Sequence, residues 1–457
     1  MSSFLINLTR ANEIGANSYY LNLDGYGLVL DAGMHPKHEG RSALPDLERT
    51  KNLPVDAIFV SHAHHDHLGA LPLMMQYHPE ARVFMGDATY FLADQILHNS
   101  VNVMKRQRLE NGVIDYPLFQ HVDVNKCVER WQACHLNQRW SLEGYPSKDK
   151  EEISFQFHHA GHILGSVAIE IVHKGRHIVY TGDINLSNQT VMSQAKLPEK
   201  DIDTLIIETT RGNHPTPPNF SRQGEVERLL QAINDTFDRN GAVMIPVFAM
   251  GKTQEALAIL HMAFKNRQLP EVPVFIGGLG LNFTHVYDKI LDSHQRLQCI
   301  PLLEHVKPKI FDGKKMSKLS IKKEHIYLIS SGMMTENTLS NKLAQQMLSR
   351  EQDSILFIGY ADPESPAGRL KKTPRNERVI LSKDYGDQPV LCNVESFDLT
   401  AHAAREDILA YIRKVNPRQC FLVHGEPESM EWFRAQLAES HPSMKVILPA
   451  SSQQISL

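Results

Sequence analysis

Cysteine is scarce in this sequence, and no two cysteines form a Cys-x-x-Cys pair. An odd number of dispersed cysteines argues against a disulfide framework and favours reduced thiols. We therefore expect a cytoplasmic protein without disulfide bonds. The five cysteines are Cys127, Cys134, Cys299, Cys392 and Cys420.

Long hydrophobic runs and a strong charge of one sign are also missing. No apolar stretch approaches the length of a membrane span, and the first residues, MSSFLINLTRANEIG, lack the basic flank and apolar region of a signal peptide. We expect no membrane segment. The formal net charge is only -4 over 457 residues, so there is no overall basic field to attract nucleic acid. A site for a polyanion would have to be a local basic patch.

Histidine, in contrast, is abundant: the chain has 24, and histidine is the commonest metal ligand. Four histidines and an aspartate crowd into the segment HAHHDH, which directly follows an apolar run and fits the pattern HxHxDH. Alternate spacing on an extended turn can direct His62 and His64 at one ion, while Asp66 and His67, at the start of a helix, face another. Imidazole nitrogen and carboxylate oxygen suit zinc. The alternative is a solvated polar loop.

Two metal sites need more ligands than one loop supplies, and candidates occur where later strands end. His162 lies in HHAGHILGS, Asp183 follows the strand in VYTGDI, and His424 follows the strand in CFLVHGE. Asp31 also ends a strand, and a carboxylate there could orient a ligating imidazole. Each of these alone has an ordinary alternative as a hydrogen-bonded structural residue. Together, and in this order, they indicate a metal centre.

The pattern of apolar residues divides the chain into three stretches. The first consists mainly of strands, with a hairpin at Asp24-Gly25 and a long helix over 88–109. The Pro- and Asn-rich segment from Arg211 leads into helices that alternate with short apolar strands, which predicts βαβ units and a parallel sheet. After about Pro389 the pattern returns to strand, helix, strand, helix.

The order of the polar residues resembles the metallo-β-lactamase superfamily: a strand-end aspartate, then HxHxDH, then a histidine and a second aspartate. The resemblance implies an α/β fold, an αββα sandwich with a dinuclear zinc site at one edge. His64 stands where flavodiiron relatives carry glutamate, so the chain is similar to the zinc hydrolases. By position, the first zinc would be held by His62, His64 and His162 and the second by Asp66, His67 and His424, with Asp183 as the bridge.

About 240 residues separate Asp183 from His424, which is far more than a loop. This insertion, bounded by IIETT and LTAHAAREDI, resembles the β-CASP family of nucleic-acid nucleases and implies an inserted parallel-sheet α/β domain. Glu208, His402 and His424 match its three motifs, and histidine at the last one resembles the RNA-acting branch. The segments LTAHA, ETTRG and GYADPESPAGR depart from the usual motifs. The implied division assigns 1–208 and 391–457 to the metallo-β-lactamase domain and 209–390 to the β-CASP domain.

The resemblance implies a zinc-dependent ribonuclease, of endo- or 5′-exonuclease type. In this hypothesis a hydroxide between two Zn²⁺ ions attacks phosphorus in line, and the catalytic residues are Asp31, Asp66, Glu208 and His402. We expect His402 to protonate the departing ribose oxygen, with Glu208 holding its imidazole in the correct tautomer; the alternative for His402 is a helix-capping residue. The other functions considered are a metallo-hydrolase of thioesters or lactams, a DNA-acting β-CASP nuclease and an inactive scaffold.

Two basic runs in the insertion could form a path for RNA between the two domains, and we expect the RNA to be single-stranded. They cover Lys307 to Lys323 and Arg369 to Arg378; the alternative for both is a solvated surface. SSGMMT could cradle a phosphate or form an ordinary turn. Specificity is expected from the two domains or from a partner, either a second copy of the chain or another protein. The candidate substrate-binding residues are Lys252, Ser331, Thr335 and Arg369.

Overall fold

The computed structural model describes residues 3–147, 152–292, 294–311 and 321–457. The chain divides into two compact units, each made of more than one stretch of sequence. Unit 1 consists of Met1–Asn188, Gln194–Thr216 and His402–Leu457, and unit 2 of Gln189–Ser193 and Pro217–Ala401. In sequence, the first crossing between the units follows Asp183 closely, and the last directly precedes His402.

The secondary structure follows in chain order. Residues up to 216 contain β1 (Phe4–Asn7), β2 (Tyr19–Leu23), β3 (Tyr26–Leu30), the short 3₁₀ helices Gly40–Ala43 and Leu47–Thr50, β4 (Ala57–Val60), α1 (His65–Leu68), α2 (Leu71–Tyr77), β5 (Arg82–Gly86), α3 (Asp87–Asn111), α4 (His121–Val128), β6 (Trp131–Cys134), β7 (Arg139–Ser141), β8 (Ile153–His159), β9 (Val167–His173), β10 (Arg176–Tyr180) and β11 (Thr204–Glu208). Residues 217–401 contain α5 (Arg222–Asp238), β12 (Val243–Pro246), α6 (Lys252–Lys265), β13 (Val274–Ile276), α7 (Gly278–Lys289), α8 (Leu302–Val306), β14 (Lys309–Ile310), β15 (Ile326–Ile329), α9 (Leu339–Met347), β16 (Ser354–Phe357), α10 (Pro366–Lys372), β17 (Arg378–Ile380), β18 (Asp387–Pro389) and β19 (Asn393–Ser396). The remainder contains α11 (Arg405–Val415), β20 (Gln419–Val423), α12 (Pro427–Ser440), β21 (Lys445–Ile447) and β22 (Gln454–Ser456).

Unit 1 is a sandwich of two sheets with helices outside. One sheet has the strand order β22-β1-β2-β3-β4-β5-β6, and the other has the order β21-β20-β11-β10-β9-β8-β7. Helix α3 packs against β5 and β6, while α11 and α12 pack through Ile412 and Phe433 against the face of the second sheet that bears Leu205 and Leu422. This is the predicted αββα sandwich. The core between the two sheets includes Phe59, Phe84, Phe155, Phe157, Ile206 and Phe421.

The carboxyl ends of parallel strands gather polar residues at one edge of unit 1. β3 is parallel to β4, and β10, β11 and β20 are parallel to one another. β4 is wholly apolar and buried, so its residues fix the strand while the polar residues begin only after it ends. Parallel strands end at the same edge of a sheet, and the residues that follow them lie close together. These are Asp31 after β3, His62 after β4, Asp183 after β10, Glu208 at the end of β11 and His424 after β20.

Unit 2 contains the predicted parallel sheet. Its strand order is β14-β13-β15-β12-β16-β19, with parallel pairing throughout, and β17 and β18 form a separate antiparallel ribbon. The apolar strands pack against α9 and α10 in a buried core. Members of this core are Met244, Tyr327, Ile329, Leu343, Met347, Ile355, Phe357 and Leu370.

Other predicted elements are also confirmed. β2 and β3 form the hairpin around Asp24-Gly25, and the long helix predicted over 88–109 is α3. Within the described part of the chain, no helix combines the length and the apolar character needed to cross a membrane.

Candidate metal centre

The first set of donor atoms comes from His62, His64, His162 and Asp183, and these atoms lie within 4.8 Å of one another. Nδ1 of His64 is 3.1 Å from Nε2 of His62 and 3.0 Å from Nε2 of His162. Oδ2 of Asp183 is 3.6 Å from Nε2 of both His62 and His162. The strand ends and the loop after β8 thus bring together residues that are far apart in sequence.

The second set comes from Asp66, His67 and His424. Oδ2 of Asp66 is 3.7 Å from Nε2 of His67 and 3.4 Å from Nε2 of His424. Asp183 also faces this set, through its other oxygen: Oδ1 is 3.3 Å from Nε2 of His67 and 3.0 Å from Nδ1 of His424. Asp183 therefore lies between the two sets, with one carboxylate oxygen toward each.

Backbone hydrogen bonds hold the loop after β3, which begins at Asp31, against the segment that carries the HxHxDH ligands. The N–H of Ala32 donates to the carbonyl oxygen of His67 at 2.8 Å, and the N–H of Met34 donates to that of His65 at 3.0 Å. A Cβ at Gly33 would lie 1.7 Å from the carbonyl oxygen of Asp66. Only glycine therefore allows the loop after β3 to approach α1 this closely.

The donor atoms fit a bound cation. A ring nitrogen has one hydrogen or one lone pair, so Nδ1 of His64 cannot form two good hydrogen bonds with the nitrogens of His62 and His162. Oδ1 of Asp183 is buried and accepts no hydrogen bond from the described residues, although two imidazole nitrogens lie near it. Lone pairs and a carboxylate gathered in this way repel one another until a cation joins them, and this mixture of imidazole nitrogen and carboxylate oxygen suits zinc.

The pKa values of two histidines agree with this interpretation. Burial and the neighbouring imidazoles hold the pKa of His62 well below its ordinary value. Burial likewise lowers the pKa of His64 to about 4. Both rings are therefore neutral near pH 7, the form that binds a metal.

Asp31 lies behind the second set and fixes the orientation of His67. Its Oδ2 accepts from Nδ1 of His67 at 2.7 Å, from Oγ of Ser61 at 2.7 Å and from the hydroxyl of Tyr180 at 2.6 Å. Its Oδ1 accepts from the N–H of Ser61 at 2.7 Å. With Nδ1 of His67 protonated toward Asp31, the lone pair of Nε2 faces the site.

His402 and Glu208 form a pair beside the first set. Nδ1 of His402 is 3.2 Å from both carboxylate oxygens of Glu208, and the ring of His402 is 4.6 Å from that of His162. Glu208 is buried and also accepts the N–H of Ile184 at 2.7 Å. Burial alone would lower the pKa of His402, but the charge and hydrogen bond of Glu208 raise it overall. The pair can therefore hold a proton next to the donor cluster.

The four candidate substrate-binding residues belong to unit 2 and have varied surroundings. Nζ of Lys252 is buried and donates to the carbonyl oxygen of Leu399. The guanidinium of Arg369 donates to the carbonyl oxygens of Ile380 at 3.1 Å and Glu364 at 2.6 Å. Oγ of Ser331 is buried without a hydrogen-bond partner among the described residues, and Thr335 is exposed. Their role in binding substrate stays a prediction.

Part of the first basic run falls outside the described residues: Lys314, Lys315 and Lys318, with Asp312. In the second run, Arg378 pairs with Asp387 at 2.6 Å, and Nε of Arg375 donates to the carbonyl oxygen of Leu391 at 2.9 Å. These two arginines are held by neighbours within unit 2.

Sequence reasoning missed three residues that support the site. Ser61 and Tyr180 bind Asp31, and Oγ1 of Thr210 lies 3.0 Å from Nδ1 of His424. Burial and the charge of Asp31 raise the pKa of Tyr180 well above its ordinary value, so its hydroxyl stays a donor. Ser61 and Thr210 each lie next to or near a strand-end site residue, and this was the signal that could have found them.

Three domain models match the sequence. A metallo-β-lactamase superfamily domain matches residues 20–210, a Beta-Casp domain matches residues 253–370, and a Zn-dependent metallo-hydrolase RNA specificity domain matches residues 387–449. The cluster of histidines and aspartates described above lies in the matched parts of a metallo-hydrolase family and is capable of binding metal.

Curated relatives extend this likeness over almost the whole chain. Endoribonuclease YSH1 of Candida glabrata is 26% identical over 452 residues, which are 96% of this chain and 57% of the relative. Cleavage and polyadenylation specificity factor subunit 3-I of Arabidopsis thaliana is 27% identical over 462 residues, 98% of this chain and 63% of the relative. The chain thus spans little more than half the length of these relatives. A crystal structure of a protein of unknown function from Enterococcus faecalis V583 matches over 100% of both chains with a TM-score of 0.57 and 14% identity, which supports the fold alone.

Proposed function

The chain belongs to the metallo-β-lactamase superfamily and to its β-CASP family, and from this premise we propose that it is a zinc-dependent ribonuclease that hydrolyses phosphodiester bonds. One observation carries the proposal. The seven donor residues converge at one edge of unit 1, and the His402–Glu208 pair lies directly beside them. Hydrolysis of a lactam or thioester needs no such second pair, whereas a ribose oxygen leaving phosphorus needs a proton.

Two Zn²⁺ ions would be held by the two donor sets, with Asp183 shared between them. When bound, zinc supplies Lewis acidity that activates water and neutralises charge on a phosphoryl group. The carboxylates and imidazoles of the chain would set the positions of the ions. Asp31 binds Nδ1 of His67 and so leaves Nε2 as the atom that would hold a metal ion, which supports the predicted indirect role of Asp31.

His402 is the proposed general acid. Its partly exposed ring, with a side chain 22% accessible, can reach a substrate that enters from solvent. Glu208 accepts from Nδ1 of His402, so Nε2 is left to carry the proton that goes to the departing ribose oxygen. The raised pKa of His402 favours the protonated form that an acid requires. Glu208 acts through His402 as a positioning residue.

RNA is the proposed substrate, and cleavage within the RNA strand is the proposed mode. A relative named an endoribonuclease supports both, and the model that matches residues 387–449, described as an RNA specificity domain, supports the first. The exposed, partly basic segments of unit 2 can contribute to binding of single-stranded RNA without base readout.

The decisive experiment incubates the zinc-loaded chain with 5′-labelled and internally labelled RNA and DNA, and follows product lengths over time. We expect internal fragments from RNA and little product from DNA. Release of mononucleotides from the 5′ end would replace the endonuclease by an exonuclease, and preferential cleavage of DNA would refute the substrate assignment. If only thioesters or lactams are hydrolysed, the nuclease proposal is wrong.

His402→Ala tests the catalytic assignment in the same assay. Removal of the general acid should slow RNA cleavage by roughly 10²-fold or more while the zinc content stays normal. His135→Ala, at a side chain 77% exposed elsewhere in unit 1, is the matched control and should cleave normally. Near-normal turnover of His402→Ala would rule His402 out as the acid.

A further inference from the structure

Glu255 is a buried carboxylate that takes no part in the metal centre. It lies in the first turn of α6 and is only 1% exposed. Its Oε1 accepts from the N–H of Thr190 at 2.8 Å, and its Oε2 accepts from the N–H of Val191 at 2.9 Å. Oε1 also accepts from the guanidinium of Arg222 at 2.8 Å. Both oxygens of one carboxylate thus hold the short segment 189–193 of unit 2.

Arg222 carries this connection to a second segment. Its second guanidinium nitrogen donates to the carbonyl oxygen of Thr400 at 2.8 Å, and the nitrogen that binds Glu255 also lies 3.5 Å from the carbonyl oxygen of Leu399. Nζ of Lys252 donates to that same oxygen of Leu399. Glu255 and Arg222 therefore join the backbone at 190–191 to the backbone at 399–400.

These two segments lie beside the first and the last of the four points at which the chain crosses between unit 1 and unit 2. The first crossing follows Asp183, and Thr400 is separated from His402 by a single residue. Within unit 1, the backbone just before the first crossing contacts the backbone just after the last one. The N–H of Ala403 donates to the carbonyl oxygen of Ile184 at 2.8 Å. The backbone that bears the proposed acid is therefore held on both sides of His402.

The charge of Glu255 argues for more than packing. Burial of an ion is costly unless the ion is paired, and apolar residues of the same size often replace buried ion pairs without loss of stability. Burial acts to raise the pKa of Glu255, but the charges of Arg222 and Lys252 lower it overall, so it is an ionised acceptor. All of the hydrogen bonds described for its carboxylate lead to the segment at the first crossing or, through Arg222, to the segment at the last crossing.

We propose that Glu255 and Arg222 are positioning residues for His402, which fix the main chain that carries the general acid. The proposal rests on the proposed function. A small displacement of a proton donor costs far more in the transition state than in substrate binding. Loss of the pair should therefore lower kcat and leave KM and the zinc content nearly unchanged.

The test is a double-mutant cycle on RNA cleavage with Glu255→Gln and His402→Ala. The first substitution removes the charge opposite Arg222 and turns an NH₂ group toward a backbone N–H, so we expect about a tenfold fall in kcat. If Glu255 acts through His402, the substitution costs nothing more once His402 is already alanine, because the two effects are not additive. If the fall in kcat of the double variant equals the product of the two single falls, or if Glu255→Gln cleaves at the normal rate, the proposal is wrong.

Two further variants separate positioning from folding. Glu227→Gln removes an exposed carboxylate from α5 and should leave kcat unchanged. Arg222→Lys keeps the charge beside Glu255 but cannot reach two carbonyl groups at once, so it should show a smaller loss that also disappears in the His402→Ala background. A loss that persists in that background would contradict the proposal even if Glu255→Gln fails to fold. The unmodified chain and His402→Ala alone test the nuclease assignment separately.

Discussion

The segments that follow parallel strands carry different polar residues in the two units. In unit 1, the residues after β4, β10 and β20 turn imidazole nitrogens and carboxylate oxygens toward one another. In unit 2, Lys252 follows β12 and Arg369 lies in the helix after β16, and both donate to main-chain carbonyl oxygens. Unit 1 thus gathers atoms with lone pairs after its strands, whereas in unit 2 these two cations are bound to the backbone.

The difference follows from what each kind of side chain can bind. An ammonium or guanidinium has only hydrogens to offer, and carbonyl oxygens at loop ends satisfy them without any ligand. The imidazole lone pairs and carboxylates of one cluster have too few hydrogens among them to satisfy one another, so a metal ion is the partner they fit. A cluster of lone pairs is thus stronger support for a ligand site than a cluster of positive charges.

The seven donor residues of unit 1 form a lone-pair cluster, in which Asp183 faces both donor sets. The largest expected effect comes from Asp183→Asn, which changes this shared residue. The substitution removes the charge and replaces one of the two oxygens, which face different donor sets, by an NH₂ group. Loss of a residue that supports a ligand typically costs 10- to 100-fold in metal affinity, so loss of the shared ligand itself should cost about 10³-fold or more in cleavage. Elemental analysis should find less than the full zinc content.

The matched control for this change is Asp201→Asn, an exposed aspartate that precedes β11. It removes the same charge from the same unit and should leave zinc content and cleavage normal. Full zinc content in Asp183→Asn would show that the two donor sets do not share this carboxylate.

The lone-pair cluster could be predicted from sequence because its histidines and aspartates either belong to the HxHxDH segment or follow an apolar strand. The apolar run before His62 fixes a strand, and the strand fixes where His62 lies. Tyr180, one partner of Asp31, could not be predicted, because it is an ordinary strand residue until the fold brings its hydroxyl to 2.6 Å from Oδ2 of Asp31. Lys252 and Arg369 were chosen for their charge, and charge alone does not reveal that a backbone carbonyl is the nearest acceptor.

A smaller effect is expected from Asp31→Asn, which leaves every donor in place but disturbs their support. Asparagine cannot accept four hydrogen bonds, so the orientation of His67 would be less fixed. Zinc affinity, measured by competition with a chelator, should fall 10- to 100-fold. Tyr180→Phe removes only one of these bonds and should show a smaller fall. Unchanged affinity in both variants would mean that Asp31 does not orient a ligand.

The smallest expected effect concerns the positively charged residues of unit 2. Arg369→Ala should lower RNA affinity by no more than about threefold, because the guanidinium is already bound to the carbonyl oxygens of Ile380 and Glu364. The free energy of unfolding of the Arg369→Ala variant should be lower than that of the unmodified chain by about 1–2 kcal/mol, because these bonds are lost. Anisotropy titrations over a range of salt concentrations and denaturant unfolding measure the two effects.

Lys372→Ala, at an exposed position of the same helix, removes an equal charge and separates the two explanations for Arg369. If charge alone matters, both variants weaken RNA binding to the same small extent, while only Arg369→Ala loses stability. A tenfold loss of affinity in Arg369→Ala with normal unfolding would instead make Arg369 an RNA contact. In that case the cations of unit 2 would bind a ligand directly, as the donor residues of unit 1 are proposed to do. The contrast drawn between the two units would then be wrong.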